Sequence, residues 1–320
     1  MTTTPSSAPS DEVSRALAQA GVTCIERGWL SANNVLVQGN GPSALVDSGY
    51  SSHADQTVAL VADALGGRPL DLLLNTHLHS DHCGGNAALQ TSYPHLRTLI
   101  PPGQAASVAE WDPVALSFEP TGQFCPQFTH EDLLHPGTSV RLGPLEWEVH
   151  AAKGHDPHSI VLFQPRHRIL LSADALWQNG FGVVFPELEG ISAFDEVADT
   201  LTLIEKLDPA IVIPGHGPLF QDVSAALSKS RSRLEQFVQN PGKHSRHALK
   251  VLLKFKLLEL QSVSIDSLHD WTLRTDYFVR AIPTEALADP TKSLAWLEDL
   301  LSELERNQAL SRIGDTIADR

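Results

Sequence analysis

Thr76-His77-Leu78-His79-Ser80-Asp81-His82-Cys83-Gly84-Gly85 sets three histidines and one aspartate within six positions. Directly upstream, Leu70-Asp71-Leu72-Leu73-Leu74-Asn75 is a short apolar run that reads as a buried strand. The cluster therefore sits at the carboxyl end of a strand, where open α/β sheets hold their ligands. Gly84 and Gly85 let the chain turn sharply afterwards. Imidazole and carboxylate together suit zinc, iron or manganese; zinc is the default, with iron and manganese as alternatives. The competing reading is a His-rich surface loop. Four donors directly behind a buried strand weigh against it.

Composition limits the rest. With 320 residues the chain has room for about two domains and a large core. Apolar residues make up 42%, which excludes wholesale disorder. A formal charge of -15 repels phosphate backbones globally and counts against nucleic acid as the main partner. Cys24, Cys83 and Cys125 are few and scattered, so no disulfide framework is indicated and a cytoplasmic location is expected. Met1 to Ser10 is Thr/Ser/Pro-rich and reads as a flexible tail without a secretory signal. No apolar run approaches the roughly 20 residues of a membrane span.

Strands are expected at 22–26, 34–38, 43–47, 70–75, 99–100, 139–142, 145–150, 159–163, 168–172 and 211–214. Helices are expected at 12–19, 53–65, 86–90 and 194–207. Two strand-rich blocks each precede helices, which suggests two packed sheets with helices outside. Between Asp112 and His135 the pattern is lost, and Trp111, Phe118, Phe124 and Phe128 suggest a loop that covers substrate. From about residue 222 the chain is mainly helical, at 223–239, 247–261, 264–273 and 292–306, with a terminal hairpin over 309–317. Those helices and the hairpin resemble a winged-helix arrangement. The expected division is a tail (1–11), a catalytic domain (12–221) and a helical domain (222–320).

If the opening stretch binds metal, other strand ends should carry donors. Gly154-His155, Ser172-Ala173-Asp174 and Pro214-Gly215-His216-Gly217 all do, and Val46-Asp47-Ser48-Gly49 ends an earlier strand. Each is weak alone; the set in this order is strong. With these motifs the sequence resembles the metallo-β-lactamase-fold superfamily over residues 22–220. The resemblance implies an α+β fold, an αββα sandwich with two divalent cations at one edge. It implies that His77, His79 and His155 hold the first cation, that Asp81, His82 and His216 hold the second, and that Asp174 bridges both. Asp47 would orient a ligand imidazole through its ring N–H. Cys83 is read as structural. His79 stands where flavodiiron relatives usually carry glutamate, which disfavours oxygen reduction.

The function implied is a binuclear hydrolase of a small ester, thioester or lactone, in which a metal-bridging hydroxide attacks and Asp81 or Asp174 handles the proton. Tyr50, His158, Trp177 and Phe181 are the candidates for a substrate pocket. A phosphodiesterase acting on RNA or DNA is the alternative, since Lys229 to Lys256 is locally basic. An iron-dependent persulfide-dioxygenase type of enzyme comes third. The expected partner is a small-molecule substrate, with no membrane, nucleic acid disfavoured and a homodimer left open.

Overall fold

The computed structural model describes residues 11–320, so all of the expected tail (1–11) but Asp11, which opens the helix Asp11–Ala20, lies outside the described residues. One sheet contains β1 (Val22–Ile25), β2 (Asn34–Val37), β3 (Ala44–Val46), β4 (Leu72–Leu74), β5 (Arg97–Ile100) and β6 (Asp132–Leu133), in that spatial order. Its first three strands are antiparallel and the rest run parallel to β3. The second sheet contains β7 (Ser139–Leu142), β8 (Leu145–Ala151), β9 (Ile160–Gln164), β10 (Ile169–Ala173) and β11 (Ile211–Pro214), ordered β11-β10-β9-β8-β7.

Strand periodicity explains how the sheets stack. Alternate residues point to opposite faces. Val35, Val37, Val46, Leu72 and Leu74 meet Ile160, Leu162, Leu171, Ile211 and Ile213 in one core between the sheets. The intervening Leu36, Leu45 and Leu73 face outward against Val61, Leu65 and Leu89 of the helices Ala54–Leu65 and Asn86–Ser92. On the other side, Val161, Phe163, Leu170 and Val212 pack against the helices Phe194–Leu207 and Val223–Gln239. These strands are buried on both faces, so they read as continuous apolar runs rather than alternating ones. The result is the αββα sandwich.

The helix Val223–Gln239 puts Val223, Ala226, Leu227, Leu234 and Phe237 into the core beneath the second sheet. A division at residue 222 therefore runs through a shared core. Beyond it, the helix Pro241–Leu260 begins six residues earlier than the expected 247, because Pro241 starts a helix rather than breaking one. Then come β12 (Ser262–Ser264), three short helices, the helix Pro290–Arg306, and the hairpin of β13 (Leu310–Ile313) with β14 (Thr316–Asp319). The small sheet is ordered β12-β14-β13. These helices and the small sheet share a core with Leu252, Leu253, Phe278, Leu297 and Leu301 at its centre.

One expectation needs correction: within the 112–135 segment, Phe118 and Phe128 do not cover substrate. Phe118 and Phe128 are 3% and 2% exposed and form a satellite core with Leu78, Ile100 and Leu116, leaving Phe124 exposed. The basic stretch, which carried only the nucleic-acid alternative, is largely paired within the chain. Arg231 pairs with Glu205 at 2.8 Å, Arg246 with Asp299 and Glu303, Lys250 with Glu303, Lys254 with Asp319, and Lys256 with Glu259. Lys229 donates to Asn179, and Arg233 to His247. Arg231, Arg246, Lys250, Lys254 and Lys256 thus meet carboxylates of the chain, which leaves a phosphate backbone less to neutralise.

Candidate metal centre

The donors converge where strands end. Asp47 follows β3, and the 77–82 motif follows β4. His155 precedes β9, Asp174 follows β10, and His216 follows β11. The motif itself opens a one-turn helix, Ser80–Cys83, which brings Asp81 and His82 round to a different side from His77 and His79. Asp47 and Ala173 have positive φ, 59° and 45°, the cost of turning abruptly at strand ends. Gly215 is required by close approach, since a Cβ there would lie 2.2 Å from Asp174 Oδ1.

Two groups of donors result. His77, His79 and His155 form the first, and Asp81, His82, Asp174 and His216 the second. In the first, His79 Nδ1 lies 3.1 Å from His77 Nε2 and 2.8 Å from His155 Nε2, and the two Nε2 atoms are 3.3 Å apart. Three nitrogens held at about 2.0–2.1 Å from one tetrahedral zinc would stand about 3.3 Å apart. Burial holds His77 well below its ordinary pKa and His79 down at about 4, with neighbouring imidazoles adding to both. Both rings are therefore neutral at pH 7, the form that ligates.

In the second group, His216 Nε2 lies 3.1 Å from Asp81 Oδ2, and His82 Nε2 lies 3.5 Å from Asp174 Oδ1. His82 Nε2 and His216 Nδ1 are buried without a hydrogen-bond partner. His82 Nε2 is the one of these that faces carboxylates, Asp174 Oδ1 at 3.5 Å and Asp81 Oδ2 at 3.9 Å, and a buried nitrogen left so is costly unless a cation answers it. The residues therefore fit a pair of divalent cations. Burial alone would lower the His82 pKa, but Asp47, Asp174 and Asp81 outweigh it and raise it well above the ordinary value. Burial would raise Asp174, but His216 and His82 pull it well below the usual carboxylate range. Asp81 is lowered in the same way, by His82 and His216 against burial.

Supporting contacts fix the rings. Asp47 Oδ2 accepts from His82 Nδ1 at 2.8 Å, which leaves Nε2 free for a cation. Val183 O accepts from His155 Nδ1 at 2.5 Å. Asp156, 6% exposed, lies 3.7 Å from His79 Nε2. Trp29 stacks on His216 with centroids 5.4 Å apart and planes 6° apart, and Trp177 stands edge-on to both. Asn33 holds the Trp29 loop there, donating through Nδ2 to Pro214 O and Gly217 O. Sequence reading missed Trp29, Asn33 and Val183, because none lies in a donor motif, and gave Asp156 no role although it directly follows His155.

The pocket candidates divide. Trp177 Nε1 donates to Asp174 Oδ1 at 3.2 Å, at the centre. His158 is half-buried, its backbone N–H on Asp156. Tyr50 is fully buried and donates its hydroxyl to Glu259 at 2.9 Å. Phe181, 2% exposed, packs on Phe237 within the sheet–helix core. Phe181 also lines a small cavity beside His155 and Asp174. Cys83 is buried, its sulfur 3.8 Å from that of Cys125, and burial pushes its thiol well above the ordinary pKa.

The model of the metallo-beta-lactamase superfamily matches residues 27–216, more than half of the chain. The chain belongs to this superfamily. The metallo-beta-lactamase relatives include a hydroxyacylglutathione hydrolase of Bdellovibrio bacteriovorus, 30% identical over 48% of this chain and 52% of its own length. The chain thus matches about half of that relative. The acyl-coenzyme A thioesterase MBLAC2 of Gallus gallus is 28% identical over 59% of this chain and 73% of its own. Among solved structures, a metallo-beta-lactamase family protein of Thermus thermophilus superposes with a TM-score of 0.54 at 19% identity, covering 94% of this chain and 99% of that one. The likeness in fold therefore extends past the sandwich into the helical region. The BLEG-1 B3 metallo-beta-lactamase shares the fold over 65% of this chain and 96% of its own, with a TM-score of 0.53 at 22% identity. No helix among the described residues is long and apolar enough to cross a membrane.

Proposed function

We propose that this protein is a two-cation hydrolase that cleaves a thioester or a related small ester or lactone. The observation that carries the reading is Asp174. Its Oδ2 lies 3.5 Å from His155 Nε2 and its Oδ1 3.5 Å from His82 Nε2, so one carboxylate stands between both donor groups. The seven donors would be shared as His77, His79 and His155 on one ion and Asp81, His82 and His216 on the other, with Asp174 common to both. Such a pair of cations supplies a water-derived nucleophile at neutral pH and polarises a carbonyl oxygen. Zinc is the expected metal.

The chain's own residues do the rest. Asp81 is the more open of the two carboxylates, its side chain 15% exposed against 6% for Asp174. That exposure supports assigning Asp81, rather than Asp174, to take the proton of the attacking water and return it to the leaving group. Trp177 Nε1 occupies a lone pair of Asp174 Oδ1 and holds that carboxylate in one orientation. The Trp29 indole, 52% exposed beside His216, offers an apolar face to an acyl or flat group. Phe185 stands edge-on to His79 and His155, an apolar neighbour of the first donor group. The names of two relatives, a hydroxyacylglutathione hydrolase and an acyl-coenzyme A thioesterase, favour the thioester.

The test is a panel of thioesters, lactones and bis-aryl phosphodiesters, run beside a labelled RNA on zinc-, manganese- and iron-loaded protein. Chelator-sensitive thioester hydrolysis is the expected result. Phosphodiester or RNA cleavage without acyl hydrolysis would overturn the reading, as would thiol-dependent oxygen uptake by the iron form.

A further inference from the structure

The helical region reaches the metal centre through Tyr277 on Phe185 and, by hydrogen bonds, through one peptide group. His244, on the helix Pro241–Leu260, is 1% exposed. Its Nε2 accepts a hydrogen bond from the Val184 N–H at 3.0 Å. The carbonyl of that same peptide, Val183 O, accepts from His155 Nδ1 at 2.5 Å. His244, a planar peptide and His155 thus form one line of hydrogen bonds, ending at the Nε2 that faces His77 and His79. A peptide plane is rigid, so fixing its N–H fixes the direction of its C=O. Bonds in series also polarise one another, so an acceptor on the N–H makes the C=O a better acceptor.

The surroundings lock this arrangement. Phe194 and Phe237 pack edge-on to the His244 ring, with centroids 5.4 and 5.1 Å away. Phe185 N–H donates to His155 O at 3.2 Å, so the bonds on either side of Val184 both end at His155 or on this line. The guanidinium of Arg233 lies over the Phe181 and Phe237 rings and bonds His247, one helical turn beyond His244. Since Val184 N–H can only donate, His244 Nε2 must carry a lone pair, with the ring proton on Nδ1.

We propose that His244 is a positioning residue for the metal centre: through the Val183–Val184 peptide it sets the tautomer and direction of the His155 imidazole. The helical region is then the back plate of the first donor group. The inference rests on the two-cation reading of the site and is independent of which bond the enzyme cleaves. Groups that orient a ligand imidazole typically contribute 10–100-fold to metal affinity, and one acting through a peptide belongs at the lower end, about tenfold.

The experiment is a zinc titration of the full chain against a chromophoric chelator, for wild type, His244→Leu and His244→Gln. Glutamine offers an acceptor oxygen where Nε2 stood; leucine fills the space with none. His244→Leu should weaken one of two zinc sites about tenfold and shift the visible spectrum of the cobalt-loaded protein, and His244→Gln should restore both. Circular dichroism of the metal-free forms monitors folding. Hydrogen exchange of the Val184 amide in wild type provides a readout should the leucine variant fail to fold; slow exchange supports the bond and fast exchange overturns it. Equal zinc affinity in all three proteins, or equal loss in both variants, also overturns the proposal. A wild-type chain that takes up no zinc sinks the metal reading itself, a result distinct from wild-type uptake with unaffected variants.

Discussion

Replacing Asp47 with asparagine should disable one cation site and spare the other. The carboxylate is 3% exposed and takes three donors. Its Oδ1 accepts from Thr76 N at 2.9 Å, and its Oδ2 accepts from Thr76 Oγ1 and His82 Nδ1, both at 2.8 Å. In Asp47→Asn the new NH2 replaces one oxygen. Placed toward Thr76 it meets an N–H head-on, donor against donor. Placed toward His82 it forces Nδ1 to accept, which moves the ring proton to Nε2 and blocks the ligating lone pair. Either arrangement costs about 1–3 kcal/mol. That agrees with the 10–100-fold loss typical of such partners, about 1.4–2.8 kcal/mol at about 1.4 kcal/mol per tenfold. A chelator-competition titration should show the His77/His79/His155 site near wild type and the Asp81/His82/His216 site weakened by that factor. Calorimetry in two buffers adds a second readout. Asp47, Asp174 and Asp81 raise the His82 pKa against its burial, so a cation competes with a proton for that ring and affinity rises with pH. Two unaltered zinc affinities in Asp47→Asn would rule out this role for the carboxylate.

Asp174→Ala removes the carboxylate shared by both groups and should abolish turnover and lower bound metal; full metal content with wild-type rates would contradict the assignment. Trp29→Ala should raise KM for long-chain or aromatic thioesters about tenfold while changing kcat little, since it removes an apolar wall; an unchanged KM across acyl lengths would count against that wall. His247 is driven down to about 3 and His244 to about 4 by burial, with Arg233 adding to both. Their folded pKa values lie below the unfolded 6.5, so the stability they contribute is complete above pH 6.5 and lost as pH falls toward 4 and 3. Denaturant melts of metal-free protein should lose up to about 1.4 kcal/mol per pH unit through His247 over that window, and His247→Gln should flatten the slope; an unchanged slope would oppose it.

The sandwich was legible because its strands are short apolar runs closed by Gly, Pro or Asn, as in Leu72–Leu74 and Ile211–Pro214. The seven donors were legible because each sits in a polar motif at such an end, and the fold brings those same seven into two groups. What escaped is non-local. Trp29 reaches His216 only because Asn33 ties its loop to residues 214 and 217, a pairing no sequence window contains. His244 meets Val184 across 60 residues. Phe118 and Phe128 were read as cover because irregular backbone suggests a surface loop, yet that segment folds onto Leu78 and Ile100. Lys229 to Lys256 looked basic because its acidic partners, such as Glu205, Asp299 and Glu303, lie on other elements.

Everything proposed for this centre depends on two cations sharing Asp174. Anomalous diffraction at the zinc edge from zinc-soaked crystals would reveal them. Two peaks about 3.5–4 Å apart are expected, one among His77, His79 and His155, the other among Asp81, His82 and His216, with Asp174 between them. A single peak, or none at these residues, would disprove the shared-carboxylate pair.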